Sequence, residues 1–523
     1  MWKRFARPWV AMEKTGKKAS CVAVLGTASD VGKSVVAAAL CRIFSGMKFT
    51  VAPFKAQNMS NNSYVTWDGG EIGRAQAVQA ECAGVAPSVD MNPLLLKPSA
   101  DSRSQMVLHG KVIGETTAKE FRSDRGWLFE KTQESLDRLR ESHDIVVIEG
   151  AGSCAEVNLK DYDIANFRTA LSCGAAVILV ADIGRGGVFA QVIGTMNLLS
   201  PEERSLVKGI VINRFRGDAA LFTDGVEFIE RETGVQVIGV IPYFTNIEID
   251  SEDSVALEKS ANTAIAIDKN KINIAVLRLP RISNFTDFAA LSREPCVNLV
   301  YLEKPASLGG FDIVILPGSK CTRDDLEWLR ETGWSGIINE YAMGGGHVCG
   351  ICGGYQMLGR FVDDQHGVEG KPGRTAGLCL LDAETELMPD KRLQKVEGKW
   401  LDAGFKVSGY EIHMGVTKAG QGVRRAVKID TVGGDAHCDG AVSDNGKIWG
   451  SYIHGIFDEP LFRRAYLGSV RPDMKSRLNE TEAESPQAYK QKQYDMLAEH
   501  FRKHLDMEKL MEIVGVTTAS AKV

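Results

Sequence analysis

The sequence predicts an α/β protein with two parallel, doubly wound sheets in series. Three observations carry this expectation. The chain has 523 residues, more than one hydrophobic core usually serves. Its short apolar runs are continuous rather than alternating, as in strands covered on both faces. Those runs alternate with longer helical patterns, which implies parallel strands joined by crossover helices.

CVAVLG (21–26) reads as the first strand, SVVAAALCRIF (34–44) as the helix behind it and FTVAPFK (49–55) as the next strand. DIVVIEG (144–150), AAVILVAD (175–182) and VKGIVINR (207–214) are three more, rich in Val and Ile and ending at Gly, Asp or Asn. In such sheets ligands bind beyond the carboxyl ends of the strands. EIDSEDSVALEKSANTA (248–264) is charged and has no strand pattern, which places a boundary between Asp250 and Lys271. A second series follows, with INIAVLRL (272–279), VNLVYLE (297–303), FDIVILPG (311–318) and HVCGI (347–351). The expected division is an N-terminal extension over 1–20, a first α/β unit over 21–250 and a linker over 251–271. A second unit covers 272–462, and a charged, helical tail covers 463–523.

Composition narrows the class. A net charge of −5 gives no sign of a nucleic-acid binder. The 11 Cys are odd in number and scattered, which suits reduced thiols in a cytoplasm. No apolar stretch reaches the roughly 20 residues that cross a bilayer. Met1 to Lys18 is basic but lacks an apolar run of signal-peptide length.

The first strand runs into Gly26-Thr27-Ala28-Ser29-Asp30-Val31-Gly32-Lys33-Ser34. The first Gly lies one residue further upstream than in the strict phosphate-loop pattern, but strand, Gly-containing turn, Gly-Lys-Ser and helix follow in order. Backbone N–H groups at such a helix start hold phosphate oxygens. Lys33 is expected at the β/γ-phosphates of ATP and Ser34 on Mg²⁺. Glu149, at the end of DIVVIEG, and Asp30, inside the loop, are candidates to help hold Mg²⁺. Asn213, at another strand end, is either an adenine contact or a plain turn residue.

Gly350-Ile351-Cys352-Gly353-Gly354 follows HVCGI. It is a nucleophile elbow with Cys in place of Ser, whose glycines permit a sharp strand-to-helix turn. The helix start behind Cys352 favours the thiolate. The backbone N–H of Gly353 and one from Pro317-Gly318-Ser319, here assigned to Gly318, are the expected oxyanion donors. His454, at a strand end before Gly455, is the expected base; His413 competes and ranks below it. Cys349 reads as a core thiol.

A thiol that hydrolyses glutamine releases ammonia, and ATP can activate a carboxylate to receive it. The two halves account for each other. FKAQNMSNNS (54–63), IEGAGS (148–153), INRFRGD (212–218), RLPRISNFTDF (278–288), LPGSK (316–320) and GICGGYQMLG (350–359) resemble the cobyric acid synthase family, from about Cys21 to Asp458. The resemblance implies a P-loop NTPase-like, dethiobiotin-synthetase-like ATPase domain followed by a class I glutamine amidotransferase domain. It implies ATP, glutamine and a corrinoid, cobyrinic acid a,c-diamide, whose b, d, e and g carboxylates become amides. It also assigns Cys352 as nucleophile and His454 as its base. The wider class carries Glu two residues after that His; Ile456 stands here, so the site is expected to be a dyad, with Glu411 and Asp458 as guesses for what orients His454.

A polyanionic corrinoid calls for cations and amides. Lys55, Gln57 and Asn58 are the expected substrate residues, since their strand end lies beside the phosphate loop. Asn61, Asn62, Arg74, Lys97, Arg103, Arg185, Arg214 and Arg216 are further candidates. The rival readings are the related a,c-diamide synthase and a nucleotide switch of the partitioning-ATPase kind.

Overall fold

The structure is a computed structural model that describes residues 18–100, 103–250, 267–430, 437–480 and 484–516. Most of the expected extension (1–17) and linker (251–266) lies outside the described residues. The first sheet has six strands in the order Val237–Pro242, Val207–Phe215, Ala176–Asp182, Ser20–Gly26, Ile145–Glu149, Val51–Phe54, all parallel. Every residue of Ile145–Glu149 and Val51–Phe54 is buried, as continuous apolar runs require. The order places the carboxyl ends of Ser20–Gly26, Ile145–Glu149 and Val51–Phe54 side by side. The phosphate loop, Glu149 and Lys55 therefore share one rim.

The second sheet runs Val297–Leu302, Ile272–Leu277, Ile313–Leu316, His347–Ile351, Ile448–Ser451, Ala441–Ser443, Val423–Arg424. Its first five strands are parallel and the last two antiparallel. His347–Ile351 lies next to Ile448–Ser451, so the residues after each, Cys352 and His454, emerge at one rim.

Two further sheet elements, a mixed sheet and an antiparallel hairpin, are added to these halves. Gln57–Met59, Leu94–Ala100, Arg103–Leu108 and Lys111–Thr117 form a small sheet off the first half. Ala383–Trp400 and Lys406–Ala419 form a long hairpin in the second half. Tyr410 and Ile412 of that hairpin pack with Val65 of the first half.

The last described helices return to the first half. Pro486–His504 starts with Ser485 as N-cap, its side chain accepting from Ala488 N, and with Pro at the first turn; Arg502, Lys503 and His504 fill its last turn. Tyr494, Leu497 and Phe501 of this helix, with Leu510, Met511 and Val514 of Met507–Val514, share one core with Leu40 and Phe44. Pro486–His504 and Met507–Val514 thus cover a face of the nucleotide-side sheet. Phe501 is fully buried there. Phe501→Ala is expected to cost about 3–5 kcal/mol of stability, read as a lower denaturation midpoint of the nucleotide-side half.

Candidate active sites

The loop from Gly26 to Ser34 is shaped by its glycines. Gly32 holds φ at 98°, where a side chain is strained, and a Cβ on Gly26 would stand 2.8 Å from Val31 Cγ2. Thr27 N donates to Val180 O at 3.0 Å, tying the loop to the neighbouring strand. Lys33 Nζ donates to the carbonyls of Ala28 (3.1 Å) and Gly152 (2.7 Å). Asn213 Nδ2 donates to Val31 O at 2.8 Å, so its amide braces the loop.

Glu149 is fully buried. Its Oε1 accepts from Ser34 Oγ at 2.7 Å and Lys55 Nζ at 2.9 Å; its Oε2 accepts from Gln79 Nε2 at 2.5 Å and Gln76 Nε2 at 3.3 Å. Burial opposes the charge, but Lys55 and these donors hold the carboxyl below its ordinary range. Lys33, Ser34, Lys55 and Glu149 are thus gathered together. Asp30 instead pairs with Arg185 (2.7 Å) and Arg214 (3.0 Å). Gln57 and Asn58 begin the strand after Lys55, and Asn58 Nδ2 donates to Gln76 Oε1 at 2.9 Å. Among the other candidate cations, Arg74 binds Asp250, Lys97 binds Glu71, Arg103 pairs with Glu115 and Arg216 stacks on Tyr243.

In the second half Cys352 has φ 53° and ψ −110°, a sparsely populated conformation for a side-chain-bearing residue. It is held by Cys352 N donating to Ser451 O at 2.9 Å and by Gln356 N donating to Cys352 O at 3.1 Å. A Cβ on Gly354 would stand 2.0 Å from Leu316 O, so the helix start packs directly on the next strand. The turn at Gly318 and Ser319 closes over the elbow. A Cβ on Gly353 would meet Ser319 N at 2.8 Å, and one on Gly318 would meet His454 Cε1 at 3.3 Å. A small cavity beside the thiol is lined by Ser319, Lys320, Gln356, Glu369 and His413, among others. Cys349 is fully buried in the strand, and burial raises its thiol's pKa.

His454 is fully buried beside Cys352, whose Sγ donates to Ile412 O at 3.6 Å. Its Nδ1 is 2.7 Å from Asp287 Oδ2, and Asp287 Oδ1 accepts from Gly455 N at 3.1 Å. Tyr410 stacks on the ring at 5.2 Å. Burial works against a charged imidazole, but Asp287 and then Cys352 outweigh it and push its pKa up to about 10. His413 bonds Gly415 O at 2.8 Å and stacks on Tyr452. The arrangement is a thiol, an imidazole and a buried carboxylate in sequence, the constellation of an acyl-transfer nucleophile.

The CobQ/CobB/MinD/ParA nucleotide binding domain profile matches residues 22–256, and the CobB/CobQ-like glutamine amidotransferase domain profile matches residues 273–462. The cobyric acid synthase of Chlorobium phaeobacteroides (strain BS1) is 52% identical over 497 residues, 94% of this chain and 99% of that protein. That of Chlorobaculum tepidum is 51% identical over 504 residues, 96% and 99% respectively. That of Pelodictyon phaeoclathratiforme is 49% identical over 505 residues, again 96% and 99%. The chain belongs to the cobyric acid synthase family. As a member of that family it is a glutamine-dependent amidating enzyme that uses ATP, and its two sheets are the two domains of that activity. Among the described residues no helix is long and apolar enough to cross a membrane.

The family member differs from the sequence expectation in one respect. Neither guess for the group orienting His454 holds that place. Glu411 is bound to Gln394 and Arg392, while the Asp458 backbone N–H caps the turn at Gly455. Asp287 takes the role, 167 residues upstream of the His. It sits in RLPRISNFTDF, a block informative in sequence only as a family signature. What brings it here is the pairing of Ile282–Ser283 with Gly318–Ser319.

Because the folded-state pKa of His454 lies above the ordinary value, the Asp287–His454 pair stabilises the fold fully below about pH 6.5 and loses that contribution as pH rises toward about 10. Asp287→Asn is expected to lower glutaminase kcat at least about tenfold and to move the alkaline limb of its pH–rate profile to lower pH. An unchanged limb in that profile would remove Asp287 from the site.

Proposed function

We propose that the chain converts the b, d, e and g carboxylates of (adenosyl)cobyrinic acid a,c-diamide to amides, giving cobyric acid, with one glutamine and one ATP used per amide. The observation that carries the site assignment is Cys352 at its strained elbow beside the buried His454–Asp287 pair, in a chain that also holds Lys33, Ser34, Lys55 and Glu149 at one rim. The Cys352 thiolate attacks the glutamine amide carbon, and the oxyanion is met by the backbone at Gly353 and the Gly318 turn. His454 gives its proton to the departing nitrogen, which leaves as ammonia. Water activated by His454 then hydrolyses the thioester to glutamate. Lys320 and Glu369, of opposite sign beside the thiol, match the two charges of a free amino acid.

In the first half a substrate carboxylate oxygen takes the γ-phosphoryl group of ATP, releasing ADP. Ammonia attacks the acyl carbon, phosphate leaves and a proton is lost. Gly26, Thr27 and Gly32 shape the phosphate cradle, Lys33 draws the phosphates, and Asn213 braces the loop near the nucleotide. Lys55 carries positive charge to where phosphoryl and carboxylate oxygens meet, with Gln57 and Asn58 beyond it on the corrinoid side. Mg²⁺ fits this rim. Ser34 Oγ and Glu149 are hard oxygen donors 2.7 Å apart, and the buried Gln79 Oε1 beside them has no hydrogen-bond partner among the described residues. Ser34 and Glu149 would hold the ion, which neutralises charge on the phosphates. Asp30, turned toward two arginines, orders the loop from outside.

Three measurements test this reading. Cys352→Ser is expected to abolish glutamine-dependent amidation and to keep amidation from concentrated free ammonia. Lys33→Ala is expected to lose amidation with either nitrogen source. Mass spectrometry of the product from the a,c-diamide should show four added amides; amidation at a and c of the unamidated corrinoid would instead identify the a,c-diamide synthase reaction.

A further inference from the structure

The cavity beside Cys352 is not walled by the second half alone. Lys97, in Leu94–Ala100 of the first half's small sheet, lines it together with Lys320, Lys391 and Glu369 of the second. Lys97 and Lys391 share the fully buried Glu71, so these two ammonium groups already have their counter-charge.

Lys320 is matched differently. It follows the Gly318–Ser319 turn that closes over the elbow, and its N–H donates to Arg281 O at 2.9 Å, so its backbone is fixed beside the thiol. Among the described residues its ammonium makes no ion pair; it donates to a neutral group, Gln105 Oε1, at 3.3 Å. Burial and then the neighbouring Lys97 push its pKa below the ordinary lysine value, against the pull of Glu369 and Glu71. Gln105 belongs to Arg103–Leu108 and stands directly opposite Lys97 across the strand pair. Opposed residues of an antiparallel pair share one face, so the small sheet presents an ammonium and an amide together to the second half. Gln105 is 5% exposed, and its Nε2 donates to Met414 Sδ at 3.9 Å, on the cavity wall. The amide is thus tied at both ends, its oxygen to Lys320 and its nitrogen to Met414.

Resting on the glutaminase reading of Cys352, we propose that the first half completes the glutamine site: Gln105 is a positioning residue that holds the Lys320 ammonium to receive the α-carboxylate of glutamine, with Lys97 closing the wall beside it. A neutral amide suits this role. It restrains the ammonium without cancelling its charge, so the missing counter-anion is supplied by the ligand. A carboxylate in the place of the amide would fill that position itself. Lys97 and Lys391, both bound to Glu71, close the inner end of the cavity without drawing on Lys320. Glutamine is thereby held by both halves of the chain, and its affinity depends on their docking.

The test separates carboxylate recognition from packing. Gln105→Glu keeps the shape and sets a competing carboxylate on Lys320, whereas Gln105→Met keeps the length and removes the acceptor. In Gln105→Glu the KM for glutamine rises at least about tenfold while glutaminase kcat stays within about threefold of the wild type; Gln105→Met raises KM by less. Amidation from free ammonia persists in both, and the corrinoid KM measured with it does not move. A second readout, which needs no turnover, follows covalent labelling of Cys352 in the full chain. The diazoketone analogue of glutamine carries the α-carboxylate and saturates at a severalfold higher concentration in Gln105→Glu. Iodoacetamide lacks that group and reacts at the wild-type rate. A folded variant with an unchanged glutamine KM, with both reagents slowed alike, or with a raised corrinoid KM in place of the glutamine effect overturns the proposal. If the glutaminase reading itself were wrong, the wild type would neither hydrolyse glutamine nor be labelled at Cys352 by the diazoketone, a result separate from these.

Discussion

The buried pairing of Asp287 with His454 is the contact on which the second half's chemistry depends. An imidazole with no exposure is driven toward its neutral form, and an isolated thiol beside it gains nothing. The carboxylate reverses that preference and favours the protonated imidazole of His454. The loop that delivers Asp287 also delivers Asn284, in the left-handed region at φ 50°. Asn tolerates that conformation, and here it turns its amide between the imidazole and the backbone of Ser63. One short loop therefore holds the imidazole and fixes the first half against it.

Much of the architecture was legible because parallel strands are buried on both faces. CVAVLG, DIVVIEG and AAVILVAD are apolar at nearly every position, and the strands formed where those runs lie. The hairpin Ala383–Trp400 with Lys406–Ala419 was not legible for the converse reason. Its burial is patchy and its sequence charged, since one part faces the core, one part faces the other half and its far end faces solvent. The tail reads as charged and helical, and its described part includes the helices Pro486–His504 and Met507–Val514. Its destination was hidden, because Tyr494, Leu497 and Phe501 show an apolar stripe but not which sheet the stripe covers.

The sites divide along the same line. Cys352, Lys33 and Ser34 stand in local motifs whose spacing is itself the mechanism, so sequence suffices to nominate them. Asp287, Glu71 and Lys391 act through partners far away in the chain, and no local spacing marks them. A carboxylate such as Glu71 looks like any surface acid until the fold encloses it between two lysines. Lys55 lies between these cases. Its place after a strand next to the phosphate loop was readable, whereas its ion pair with Glu149 depends on Val51–Phe54 pairing with Ile145–Glu149.

That ion pair bears on the order of events at the nucleotide rim. Glu149 is buried and satisfied by a hydroxyl, an ammonium and two amides. Lone buried charge is costly, so the carboxylate and Lys55 are retained as a pair until something of matching charge replaces one partner. On the proposed function, a divalent cation arriving with the nucleotide would be held by the Glu149 and Ser34 oxygens, and Lys55 would then be free to meet phosphoryl and carboxylate oxygens. On that reading nucleotide binding would arm the lysine, and the substrate carboxylate would meet a free cation only once the phosphoryl donor is in place.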